Sequence, residues 1–283
     1  MRYGYWWWTL PAVALTGTVI YLATAAGAFY SFTNWTGIGS FQFVGFTNFI
    51  NVFKTAQVFH ALTNTVLLAV GYVVFTNIIG LLFALALNRT LKSRYVLRTL
   101  IFMPVVLSPV AVSYIWKFIF AYNGPLNQIL GDIGLGSQRQ DWLASPHLAI
   151  WCVLAVMVWQ NIGFVSVVYM AGLATVPLEL EEAAAIDGAG LWQRFRRITL
   201  PMIQPSLAIA TTLTLIGGLR VFDQVMALTG GGPDNATQTL ATEIYQQTFT
   251  YQEFGFGAAM ALLLSVFILI FTVTQLALTR DRT

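Results

Sequence analysis

Six long apolar runs separated by shorter polar stretches organise the 283 residues. They fall at about 8–30, 62–87, 100–122, 148–173, 203–225 and 257–278. None alternates apolar with polar positions, so strands of a membrane barrel are not predicted. Each run supplies the roughly 20 apolar residues that a helix needs to cross about 30 Å of hydrocarbon. The pattern predicts an all-α polytopic membrane protein with six transmembrane helices, forming one membrane domain over 1–283. Ala26-Gly27-Ala28 looks like a cleavage site, but the first run exceeds an ordinary signal-peptide core of about 7–15 residues and reads as a span.

Composition agrees. Hydrophobic residues make up 57% of the chain and charged residues 9%, against roughly 45–50% and about 25% in soluble domains. No basic face is available for nucleic acid. The single Cys152 lies inside an apolar run, which excludes a disulfide framework or a cysteine metal site. His60 and His147 are far apart in sequence and form no metal motif.

Charge placement predicts orientation. Arg2, Arg89, Lys92, Arg94, Arg98, Arg194, Arg196, Arg197, Arg280 and Arg282 fall on one side. Lys54 and Arg139 fall on the other, with Lys117 and Arg220 near span ends. Cytoplasmic loops carry the excess of Lys and Arg, so both termini are expected in the cytoplasm.

The loop 174–202, between spans four and five, is expected on that cytoplasmic side. Pro177 suits a first helical turn, and Glu179, Glu181 and Glu182 suit the positive end of a helix. Gly188 stands where a left-handed cap belongs, and Gly190 follows it. A second short helix over 191–198 is expected to stop at Pro201.

Within this loop, Glu182-Ala183-Ala184, Asp187-Gly188-Ala189 and Ile198-x-Leu200-Pro201 resemble the EAA signature of permeases in ATP-binding-cassette importers. Phe222-Asp223, the stretch Leu228-Thr229-x-Gly231-Gly232-Pro233, and Phe43-Val44-Gly45-Phe46-Thr47-Asn48-Phe49 are similar to the maltose-type carbohydrate importers. The large outer domain and extra N-terminal spans of one maltose permease subunit have no counterpart here. The resemblance implies the type I importer permease fold and a chain that does no bond-breaking chemistry. It implies a second permease subunit, with a heterodimer expected. It also implies two ATPase subunits that hold ATP and magnesium, and an extracytoplasmic solute-binding protein. The loop would act as a coupling helix against one ATPase. This chain would bind no cofactor or metal.

Polar residues inside apolar spans are costly and face a cavity or another helix. In span four, Trp159, Gly163 and Ser166 share one face by spacing, with Gln160 beside them. In span five, Thr214, Gly217 and Gly218 lie within one turn. These seven are the candidates for a solute pathway, although helix packing uses the same residue types. Arg220 and Asp223, three apart, are expected to pair. Pro104 and Pro109 are expected to kink span three. The lack of a cation at any span centre favours a neutral solute. An intramembrane enzyme would need a nucleophile and base or a ligand set at membrane depth, and a secondary transporter or channel a buried coupling charge; neither is found.

Overall fold

The computed structural model describes residues 6–88 and 93–280. Arg2, Arg89, Lys92 and Arg282 of the orientation argument lie outside the described residues. In chain order the helices are α1 (Trp6–Thr16), α2 (Ala23–Tyr30), α3 (Thr47–Lys54), α4 (Ala56–Leu87), α5 (Arg94–Val106), α6 (Pro109–Phe120) and α7 (Pro125–Asp132). There follow α8 (Pro146–Leu173), α9 (Leu178–Ile186), α10 (Leu191–Arg194), α11 (Leu200–Met202), α12 (Gln204–Leu219), α13 (Asp223–Leu228), α14 (Leu240–Tyr245) and α15 (Phe254–Arg280). π-helical turns at Gly17–Leu22 and Phe195–Thr199 join α1 to α2 and α10 to α11. Among the described residues the β contact is one isolated bridge, Thr33 to Phe43.

Among the described residues, four continuous helices are long and apolar enough to cross a membrane: Trp7–Tyr30, Ala56–Leu87, Pro146–Leu173 and Phe254–Ala277. Two helix pairs, bent by 101° after Val106 and 71° after Met202, are long and apolar enough to cross as well if each is one broken span. The expected kink of span three is thus a full break, and it has a local cause. A residue before proline avoids the helical region, and Leu107 and Ser108 are both extended ahead of Pro109. Ser108 then caps α6, its hydroxyl accepting from the Ala111 N–H at 3.4 Å. Pro104 stays inside α5.

Span five differs at both ends. Pro201 does not stop the second loop helix; it sits in α11, and the chain turns instead at Ile203. The π-helical turn just before Pro201 shifts the Leu200 N–H onto the Phe195 carbonyl, loosening the register where a proline ring would otherwise collide. At the other end α12 stops at Leu219, and Arg220–Phe222 is non-helical before α13.

By its internal contacts the chain divides into two compact units. One contains the chain up to Phe59 with Leu240–Phe267; the other contains His60–Thr239 and the chain from Ile268. In the first, Asn48 donates to the Ser31 and Thr33 carbonyls at 2.9 and 2.8 Å, pinning α3 to the loop after α2. Trp35 stacks on Tyr30 with centroids 4.2 Å apart. A buried carboxylate, Glu243, accepts from Gln57 and Gln247.

The second unit is organised around α8, whose apolar stretch is 61% buried. It is apolar all round, as a central helix must be. Val153, Val156, Val165 and Tyr169 have no exposed surface. Helices α5, α6, α12 and α13 all pack on it. Lipid gives little hydrophobic drive for such contacts, so close packing and interhelical hydrogen bonds supply the cohesion.

Candidate functional site

The break between α5 and α6 and the non-helical stretch after α12 meet at one cavity. Its volume is about 470 Å³, and its lining includes Tyr72 of α4, Leu107 at the α5–α6 break, Gln160 and Asn161 of α8, and Gly217 and Arg220 to Gln224 where α12 ends. The first break builds part of the wall. Inside a helix the Leu107 carbonyl would accept from residue 111, but Ala111 is committed to Ser108. The freed carbonyl accepts instead from Gln160 Nε2 at 3.0 Å. Gln160 Oε1 in turn accepts from Gln224 Nε2 at 3.2 Å. One buried amide therefore ties α8 to both interruptions. The site is polar and held by its own hydrogen bonds.

Of the seven pathway candidates, Gln160 and Gly217 line this cavity. The other five lie elsewhere. Trp159 points to an apolar groove with Phe75, Trp151 and Ile162, and meets Trp116 edge-on at 5.4 Å. Gly163 lets α5 approach: a Cβ there would collide with the Ile101 carbonyl oxygen. Ser166 is buried against α4 near Gly80 and bonds its own helix at Ile162. Gly218 plays the same packing role toward Ala69 of α4, whose Cα would lie 2.7 Å from a Cβ. Thr214 is buried and accepts from Asn77 Nδ2 at 2.9 Å, while Tyr169 donates to Asn77 Oδ1 at 2.6 Å. That chain joins α8, α4 and α12 without reaching the cavity lining. Asn77 was not singled out from the sequence, though an amide in the apolar middle of a long helix signals such a partner.

The glycines separate packing from lining, which gives a prediction. Gly163→Ala should lower the thermal unfolding midpoint in detergent, by an amount equivalent to about 1–3 kcal/mol, since backbone rather than a flexible side chain must move. Gly217→Ala meets only Tyr72 Cε1 at 3.5 Å and should be neutral or gain up to about 1 kcal/mol in helix propensity. Equal stability of Gly163→Ala and wild type would contradict the packing role.

The loop 174–202 forms a helix, a turn and a second helix. Glu182, Ala183 and Ala184 lie on α9. Asp187 is its last half-helical residue, and Gly188 takes φ +83°. The Ala189 N–H donates to the Ala184 carbonyl at 2.9 Å, and the Gly188 N–H to the Ala185 carbonyl at 3.1 Å. This is the six-to-one and five-to-two pair of a Schellman cap. Gln193 Oε1 accepts from the Gly190 N–H at 3.0 Å and opens the second helix. The two helices are tied by Thr199, which donates to Glu181 Oε1 at 2.9 Å. Ile198, Leu200 and Pro201 continue that helix through its π turn into α11. Leu178, Leu180, Ile186, Leu191 and Trp192 are all exposed here, Ile186 at 87%. An exposed apolar set on a polar loop marks a contact surface.

The sequence model of the binding-protein-dependent transport system inner membrane component family matches residues 76–283. The chain belongs to that family. The "Probable starch degradation products transport system permease protein AmyD" of Thermoanaerobacterium thermosulfurigenes is 33% identical, over 99% of this chain and 95% of its own length. The multiple sugar-binding transport system permease protein MsmF of Streptococcus mutans serotype c is 36% identical, over 98% and 96%. A chain in the crystal structure of a bacterial alginate ABC transporter, in complex with an alginate pentasaccharide-bound periplasmic protein, superposes with a TM-score of 0.84 at 25% identity. That match covers 96% of this chain and 92% of the other. The protein is a permease subunit of an ABC importer, a multi-pass inner-membrane component. Its relatives are transport components rather than enzymes.

Proposed function

We propose that this permease subunit moves a sugar or related solute into the cytoplasm through the cavity between the α5–α6 break and the end of α12. The observation that carries the reading is the meeting of the α5–α6 break and the non-helical stretch after α12 at one polar cavity, locked by Gln160. The carbohydrate reading draws on relatives named for starch products, multiple sugars and alginate. Both termini and the loop 174–202 lie in the cytoplasm, and an extracytoplasmic binding protein delivers the solute from the other side. The subunit pairs with a second, different permease, and two ATPase subunits hold the ATP and magnesium.

In this reading α9 and its Schellman turn are the coupling element, seated on one ATPase by the exposed Ile186, Leu191 and Trp192. Closure of the ATPases on nucleotide favours one arrangement of the permeases, and a ligand shifts an equilibrium only by its differential affinity for the two states. A rigid, doubly hydrogen-bonded turn transmits that displacement, whereas a slack loop absorbs it.

Thiol labelling in intact cells tests the orientation. Asp234→Cys should react with an impermeant reagent from outside and Gln193→Cys should not. Labelling of position 193 under those conditions would reverse the topology and remove the coupling role with it.

A further inference from the structure

The cavity holds two charges that do not neutralise each other. Arg220 and Asp223 both line it, both are exposed, and no ion pair joins them. The pairing expected from their three-residue spacing needs a continuous helix. Here the chain leaves the helix after Leu219, with Arg220 at φ −108° and Phe222 at φ −131°, and α13 begins only at Asp223. Exposure of charged groups in a spanning protein is tolerable where they face a water-filled cavity, and such residues mark ion or substrate paths. The nearby amides are largely committed. Gln160 is held by Leu107 and Gln224, and Asn161 Nδ2 donates to its own helix at Met157. The charged donor and charged acceptor of the cavity, neither held by a partner, are the guanidinium and the carboxylate.

We propose that Arg220 and Asp223 are the specificity-determining contacts for the solute, and that they select a neutral polyhydroxylated compound. The inference rests on the reading of this cavity as the solute path. A hydroxyl both donates and accepts, whereas a guanidinium only donates and an ionised carboxylate only accepts. Adjacent hydroxyls of one sugar can therefore satisfy both groups at once, through charge-assisted bonds about twice as strong as neutral ones. The two charges cancel in sum, so the pair offers no net charge to draw in an ion from a distance. An anionic solute would meet Asp223 and a cationic one Arg220, each a like charge at close range. The helix break holds the two groups unpaired and ready for the solute.

The test is uptake by the complete importer, reconstituted with its ATPases and binding protein. Radiolabelled maltose, trehalose and raffinose serve as neutral probes, and maltobionate as the carboxylate counterpart of maltose. Arg220→Gln and Asp223→Asn should each raise KM about tenfold or more for the neutral sugar carried, the loss of one charge-assisted hydrogen bond. Co-purification of the ATPase should be unchanged, and Arg220→Lys should fall between. Exchanging the charges, Arg220→Asp together with Asp223→Arg, should not restore KM. Restoration by the exchange would show a mutual ion pair and overturn the proposal. So would unchanged KM in both single variants, or wild-type preference for maltobionate over maltose. In parallel, Asn161→Cys modified by a bulky thiol reagent should block uptake. If that block appears while Arg220→Gln and Asp223→Asn are normal, this inference alone fails. If modification has no effect, the cavity is not the path and both readings fall.

Discussion

Gly188→Val should leave the permease inserted and assembled at near wild-type levels, while transport falls at least about tenfold and ATP hydrolysis no longer responds to the loaded binding protein. The cause is confined to the backbone. Gly188 takes φ +83°, and a Cβ there would touch no neighbouring atom. No steric clash contributes; the cost is the left-handed conformation itself, about 1–3 kcal/mol and severe for a β-branched residue. Escape from that cost breaks the two bonds that the Gly188 and Ala189 N–H groups make to α9, and α9 loses its fixed angle to the second helix. Gly188→Asn is the control, because asparagine visits this region most readily among non-glycine residues. It should retain most of the response. Solute-stimulated hydrolysis in Gly188→Val equal to wild type would remove this turn from the coupling mechanism.

Gly217→Phe should abolish uptake for a different reason. The position opens into the cavity beside Tyr72, so an aromatic ring there occupies the space a solute would need. No backbone stands in its way, unlike at Gly163, and the fold should survive. Uptake by the reconstituted importer should drop by about two orders of magnitude, while basal ATP hydrolysis persists. Such a loss is within the range expected when binding geometry is blocked rather than weakened. Normal uptake by Gly217→Phe would move the pathway to another part of the permease.

The spans were legible because apolar length alone identifies them. The structure places the helices within a few residues of the runs at 62–87, 148–173 and 257–278. The Schellman turn was legible too, since glycine after a run of alanines has few other uses. What the sequence concealed was direction around α8. Trp159, Gly163 and Ser166 share a face by spacing, but α8 is buried on nearly all sides. A face on such a helix does not indicate which neighbour lies against it, and the three residues meet an apolar groove, α5 and α4 respectively. Gln160, one position away, reaches the cavity because the break at Leu107 offers it a free carbonyl. That break was half visible in Pro109. The pairing of Arg220 with Asp223 failed for the complementary reason: helical spacing was assumed past Leu219, where the helix had already ended. The tie between Glu181 and Thr199 was invisible because it joins separate helices of the loop.

Site-specific photocrosslinking from position 186 tests the central claim most directly, that the loop 174–202 couples this permease to its ATPase. Ile186 stands 87% exposed at the end of α9, so a photoreactive phenylalanine replaces it without disturbing the core. Irradiation of the assembled importer should yield an adduct between this chain and the ATPase subunit, its yield changing when ATP is bound, with no such adduct from position 234. An importer that co-purifies with its ATPase and still gives no adduct from position 186, with or without nucleotide, would contradict the account.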